Sequence, residues 1–176
     1  MSDATPALRQ LREAPGLPWP FQAGSLAGDL PDINVWLALA VQEHPHHAQA
    51  HQYWADTQSQ HAGTVGPCVW FCRVTMLGLV RLLCQPKAVG KGALALAAAW
   101  NLYQQYRALP QIGLAADASD CEHQLHSLVS SGVLPARLWT GAYLAAQAQS
   151  TGLRLVSFDR DFERFALPRC LILPTQ

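Results

Sequence analysis

The sequence predicts an α/β fold in which a central, mainly parallel sheet of four or five short strands is flanked by helices on both faces. Three observations predict it. Short apolar runs such as Val69-Trp70-Phe71 and Leu153 to Ser157 have strand length, stretches with apolar residues at helical spacing separate them, and the two kinds of segment alternate along the chain. Strands joined through helices need crossover connections, which give parallel pairing and a sheet covered on both faces.

Taken in order, residues 1–28 hold Pro6, Pro15, Pro18 and Pro20 with Gly16, Gly24 and Gly28, which interrupt any long periodic element. They read as an irregular N-terminal extension whose Leu8, Leu11, Trp19 and Phe21 could pack on the domain or on a partner. A single domain over residues 29–176 follows. Leu30 to Ile33 opens it and leads into an apolar stretch, Val35 to Val41. A helix is expected with Pro45 in its first turn and Ala48, His51 and Trp54 along it. Val69 to Phe71 reads as a strand, and Val74 to Leu83 as a helix with Val74, Leu77, Leu79, Val80 and Leu83 mainly on one face. Gly92 to Leu109 is expected as an alanine-rich helix and Ile112 to Ala115 as a strand. Ser119 with Glu122 forms a capping-box pattern for a helix running to about residue 131. The remaining segments are a helix from Arg137 to Gln149, a strand from Leu153 to Ser157, a helical turn from Asp161 to Phe165 and a strand from Cys170 to Leu173.

Composition narrows the function classes. The 176 residues are 50% hydrophobic and 14% charged, with no net formal charge. That profile suits one ordinary globular domain, and any nucleic-acid contact must come from a local basic patch. Five cysteines, an odd number placed mostly in apolar runs, read as buried thiols of a reducing cytoplasm. Cys68 and Cys72 have no second pair at zinc-finger spacing. No segment approaches the roughly 20 uncharged apolar residues of a membrane span. Lys87 and Lys91 beside Gly90 lack the rest of a phosphate-binding loop, and no Gly-x-Ser-x-Gly is present.

Acidic residues at predicted strand ends carry the chemistry. Asp32 closes the first run, and Asp159 with Asp161 follows the Leu153 to Ser157 run. In an open parallel sheet the functional crevice lies beyond the carboxyl ends of the strands. Carboxylates gathered there repel one another unless a cation neutralises them, and hard oxygen donors suit Mg²⁺ or Mn²⁺. Such an ion activates water and stabilises charge on a phosphodiester. An aspartate after a strand is also a common helix cap or turn residue, and for Asp32 alone that reading is as strong.

The motifs then form an ordered series. Leu30-Pro31-Asp32-Ile33-Asn34-Val35-Trp36-Leu37, His44-Pro45-His46-His47, Phe71-Cys72-Arg73-Val74-Thr75 continuing to Gly78-Leu79-Val80-Arg81-Leu82-Leu83, Ala142-Tyr143-Leu144-Ala145-Ala146, and Leu155-Val156-Ser157-Phe158-Asp159-Arg160-Asp161-Phe162 resemble the VapC toxins of bacterial toxin–antitoxin pairs. The resemblance runs from about residue 29 to the C-terminus. It implies a three-layer PIN domain with carboxylate-bound Mg²⁺ or Mn²⁺, endoribonuclease activity on cellular RNA, homodimerisation and a cognate antitoxin. Asp32 matches the family's first metal-binding aspartate and Asp159 its late one. Asp161 is expected as a further ligand, and Asn34 and Ser157 as supports.

Two positions depart from that pattern. The family usually has aspartate where this chain has Gly141, and many relatives carry a glutamate near Gly78, on a helix that here has no acid between Arg73 and Leu83. The expected function is therefore a Mg²⁺-dependent endoribonuclease toxin weakened at Gly141. The alternative is an inactive domain of the same fold that binds antitoxin or RNA. An aspartyl-nucleophile phosphatase ranks last, because Asn34 stands where its second aspartate belongs.

Arg160, Arg73 and Arg81 are candidate RNA contacts, although salt bridging is as ordinary a fate. His44, His46, His47 and His51 are expected in solvated or capping roles, and Trp36, Trp54, Trp70, Trp100 and Trp139 in the core.

Overall fold

The computed structural model describes residues 26–130 and 134–175. Residues 1–25, including Leu8, Leu11, Trp19 and Phe21 of the expected extension, lie outside the described residues. Five strands, β1 (Asp29–Pro31), β2 (Val69–Phe71), β3 (Ile112–Leu114), β4 (Arg154–Ser157) and β5 (Cys170–Ile172), form one sheet in the order β3-β2-β1-β4-β5. Every pairing is parallel. The expected α/β architecture is thus the observed one, with the full five strands.

Alternation along the strands explains the covered faces. Val69 and Phe71 enter one buried cluster, with Trp36, Leu79, Tyr103 and Val156. Trp70 and Cys72 turn to the other, with Leu30, Leu144 and Leu155. The first face is covered by α1 (Ile33–Ala40), α2 (His47–Gln60), α3 (Arg73–Leu83) and α5 (Leu96–Arg107), the second chiefly by α7 (Trp139–Thr151). Trp36 stacks on Phe71 at a ring-centroid distance of 3.7 Å, anchoring α1 to the sheet. A short α4 (Pro86–Val89) and a helix α6 (Cys121–Ser130) complete the set.

Several element boundaries differ from the sequence reading, each for a local reason. α5 starts at Leu96 and not at Gly92, because Gly90–Gly92 forms a 3₁₀ turn and Ala95 is extended. α2 starts at His47, leaving Pro45 in the preceding turn. α6 starts at Cys121, so Asp120 and not Ser119 precedes it. Ala136–Leu138 is a separate 3₁₀ turn before α7. Leu77, expected on the buried face of α3, is 58% exposed, and Trp100 and Trp139 are exposed where core positions were expected. Leu77, Leu96 and Trp100 instead line an apolar groove of about 530 Å³ between α3 and α5.

Residues 26–28 tie the start of the described chain to the sheet. Leu26 donates its N–H to the Thr151 carbonyl, and the Trp70 indole donates to Ala27. Gly28 has φ +116, and a Cβ there would overlap the Cys68 carbonyl, so this close approach to β2 requires glycine. All five cysteines are free thiols: Cys68, Cys72 and Cys121 are buried and Cys84 and Cys170 half-buried. No helix among the described residues is long and apolar enough to cross a membrane.

A carboxylate pocket at the switch point of the sheet

From β1 the chain runs outward through β2 to β3, whereas β4 and β5 lie on the opposite side. The reversal falls between β1 and β4, and a crevice opens beyond the carboxyl ends of the strands there. Register sets the geometry. Pro31 pairs with Val156 and the Asp32 N–H bonds to the Val156 carbonyl at 2.8 Å, which brings Asp32 beside Ser157 and the turn that carries Asp159. A pocket of about 240 Å³ is lined there by Asp32, Asn34, Arg81, Arg137, Gly141, Asp159 and Asp161, with Phe162 and Phe165 as its apolar wall.

Asp32 does two things at once. Its Oδ1 accepts the Ile33 N–H at 2.6 Å, capping α1. Its Oδ2 accepts the Ser157 hydroxyl at 3.0 Å and the Asn34 amide at 3.3 Å. Burial pushes its pKa up to about 6; the Ile33 and Ser157 bonds oppose the rise, and the charge of Asp159 adds to it. Neutral donors alone leave this buried carboxylate without a counter-charge. Asp32 is therefore a helix cap and at the same time a residue of the pocket lining.

Asp159 caps the following 3₁₀ helix, Arg160–Phe165, by accepting the Asp161 N–H at 2.8 Å, and Ser157 accepts the Asp159 N–H at 2.9 Å. Ser157 thus links the Asp32 carboxylate to the backbone N–H of Asp159. Asp161 is placed differently. One of its oxygens accepts from Arg137 and the other from Arg164 at 2.7 Å, and the Arg137 hydrogen bond, followed by that of Arg164, holds its carboxyl below the usual range. Both oxygens are thereby engaged by cations.

Gly141 sits in the first turn of α7 on the pocket wall. Its φ is ordinary, and an added Cβ would meet the Phe162 and Phe165 rings at 3.6 Å, normal van der Waals contact. Neither backbone nor space requires glycine here. At Gly78, near which the family resemblance places an acid, a Cβ would collide with the Ile33 side chain, so glycine lets α3 approach α1 closely.

Among the described residues no three His, Cys, Asp or Glu side chains gather closely enough to hold a metal ion. Asp32 and Asp159 could supply two carboxylates. That donor set fits a Mg²⁺-type ion, which is commonly carried by one or two carboxylates with water and substrate phosphates; it is too small for an all-protein cage.

The other candidates fall elsewhere. Arg160 pairs with Glu163 at 3.3 Å and does not line the pocket. Arg73 lines a separate depression of about 140 Å³ with Ala115 and Asp117, over the ends of β2 and β3. Two histidines secure the end of α1: His47 Nδ1 lies 2.8 Å from the Ala38 carbonyl and His51 Nε2 3.4 Å from that of Leu39; His46 instead stacks on Phe158. His47 and His51 thus have the capping role expected, whereas His46 makes no side-chain cap bond. Arg81, an RNA-contact candidate from the sequence, lines the pocket, as does Arg137, which the sequence did not single out. Only the Asp161–Arg164 spacing within one turn was legible; Arg137 is 24 residues away from its partner.

This combination of a parallel five-stranded sheet and paired strand-end aspartates is that of the PIN domain, and the PIN-domain family profile matches residues 30–167. The chain belongs to this family. It is 34% identical over 138 residues to Ribonuclease VapC41 of Mycobacterium tuberculosis, covering 76% of this chain and 90% of that protein. Among solved structures it shares its fold with VapC20 of Mycobacterium tuberculosis, a sarcin-ricin loop cleaving toxin (TM-score 0.55, 17% identity, 84% of this chain and 100% of that chain). It shares the fold also with the VapBC2 complex of Rickettsia felis bound to a DNA fragment from its promoter (TM-score 0.55, 11% identity, 82% of this chain and 98% of that chain).

Proposed function

We propose that this chain is a Mg²⁺- or Mn²⁺-dependent endoribonuclease toxin of a toxin–antitoxin pair, acting in the cytoplasm, with its activity weakened at Gly141. The observation that carries the reading is the joining of Asp32 and Asp159 through Ser157 at the rim of one pocket. Kinship with a ribonuclease over most of the chain supports it. Asp32 and Asp159 would hold the ion, which when bound supplies charge neutralisation at the phosphodiester and an acidified water.

The chain's own residues do the rest. Ser157 and Asn34 fix the Asp32 carboxylate, and the caps on Ile33 and Asp161 fix the two acids relative to the strands. Phe162 and Phe165 keep one wall of the pocket apolar, which strengthens electrostatic interactions inside it. An antitoxin and a second copy of the chain are the expected protein partners; the exposed apolar groove of Leu77, Leu96 and Trp100 supports a protein contact on this side of the molecule.

A second reading, a binding domain that no longer cuts, is favoured by the shortage of carboxylates. Calorimetric titration of Mn²⁺ into this chain and into Gly141→Asp, with an RNA cleavage assay in parallel, separates the two. The nuclease reading expects Gly141→Asp to bind Mn²⁺ at least about tenfold more tightly and to cut faster. Absence of metal binding and cleavage in both proteins leaves the binding domain.

A further inference from the structure

Acidic and basic side chains line the same pocket. Buried Asp32 and exposed Asp159 are two of its acids; Arg81, from the last turn of α3, and Arg137, from the 3₁₀ turn before α7, line it from other elements. Asp161 lies between the guanidinium groups of Arg137 and Arg164, one oxygen to each, so this trio carries a net positive charge despite its acid. The Arg137 side chain remains 61% exposed, and the bond to Asp161 takes one of its five N–H donors. A guanidinium fixed by a carboxylate and still open to solvent is organised to bind a phosphate bidentately, whereas a free surface arginine must be ordered first.

We infer that Asp161 is a positioning residue that fixes Arg137 as a contact for a phosphate of a polynucleotide lying against the Asp32 and Asp159 carboxylates. This rests on the RNA reading above and changes the role of Asp161, which acts through an arginine and leaves the ion to Asp32 and Asp159. A purely structural bridge, tying the segment before α7 to the turn after β4, would give the same geometry but no dependence of RNA binding on it.

The sign of one effect separates the possibilities. The probe is a fluorescein-labelled single-stranded oligoribonucleotide, titrated by anisotropy in EDTA so that no metal takes part. Removing an acid from an RNA site ordinarily tightens binding by reducing repulsion. If Asp161 positions Arg137, Asp161→Asn instead weakens binding several-fold. Arg137→Ala weakens it about tenfold and lowers the salt slope by about 0.7, the share of one single-strand phosphate. Asp161→Asn added to Arg137→Ala then weakens it no further. Arg160→Ala, which alters a neighbouring arginine outside the pocket, has the smaller effect.

Mn²⁺ titration of Asp161→Asn should match that of the unaltered chain. Tighter RNA binding by Asp161→Asn, or a loss of its Mn²⁺ affinity, overturns the inference by making Asp161 a repelling acid or a ligand. If the unaltered chain binds the oligoribonucleotide and Arg137→Ala binds it equally well, the inference fails while the RNA reading stands. If the unaltered chain does not bind it at all, both fail.

Discussion

Strand β1 carries a buried aspartate at each end, and the two are treated in opposite ways. Asp29, at the amino end, is 2% exposed and receives two bonds from Arg154 at 2.8 Å and one from the Tyr53 hydroxyl at 3.0 Å. Asp32, just past the carboxyl end, is 7% exposed and receives only neutral donors. One is a closed ion pair that joins β1, β4 and α2. The other is a carboxylate held in an environment that disfavours its charge, facing an open pocket. Burial with a counter-charge keeps a carboxylate ionised; burial without one raises its pKa.

The largest expected effect breaks the closed end. Arg154→Met leaves Asp29 buried without its cation and should destabilise the protein by about 3 kcal/mol or more in urea or thermal unfolding. A change below about 0.5 kcal/mol would show that water screens this end and that the contrast with Asp32 is smaller than the geometry implies.

At the open end the sign reverses. Because the folded-state pKa of Asp32 is raised from 3.8 to about 6, its protonated form is favoured by folding. Its favourable contribution is full below pH 3.8 and is lost as pH rises through about 6. In metal-free protein, Asp32→Asn should therefore raise stability at pH 7.5 by up to ~3 kcal/mol, with the gain shrinking towards pH 4 and RNA cleavage abolished. Melting curves across that pH range in EDTA check it; a destabilised Asp32→Asn at neutral pH would show that the three neutral donors outweigh desolvation.

Smaller effects sharpen the contrast. Tyr53→Phe removes one hydrogen bond from a carboxylate that keeps its arginine, and should cost about 1 kcal/mol in the same unfolding assay. Gly141→Ala should stabilise α7 by about 0.5–1 kcal/mol, since the added methyl meets the phenylalanine rings at ordinary distance, yet give no gain in Mn²⁺ affinity. A gain in metal affinity with alanine would mean that helix order, and not a carboxylate, limits the site.

Much of the fold was legible because strand and helix periodicities are local. Val69 to Phe71 and the stretch around Leu155 and Val156 announced themselves as strands, and Asp32 and Asp159 as strand-end acids. The boundary errors at Gly92, Pro45 and Ser119 came from turns whose backbone geometry several residue types could adopt. The exposure of Leu77 and Trp100 was not legible, because an apolar stripe looks the same whether its own chain covers it or not.

The sequence by itself determined the α/β class, the strand-end acids and the absence of a carboxylate at Gly141, since each depends on residue identity and short-range spacing. Only the tertiary structure decided that Arg154 closes Asp29, that Ser157 links Asp32 to Asp159, and that Asp161 goes to Arg137 and Arg164. Asp29 and Arg154 are 125 residues apart, and Asp32 and Ser157 equally so. Both pairings follow from the parallel register of β1 on β4, in which Asp29 lies opposite Arg154 and Pro31 opposite Val156. Such a register is a property of the assembled sheet, fixed by which faces its helices bury, and no local stretch of the chain encodes it.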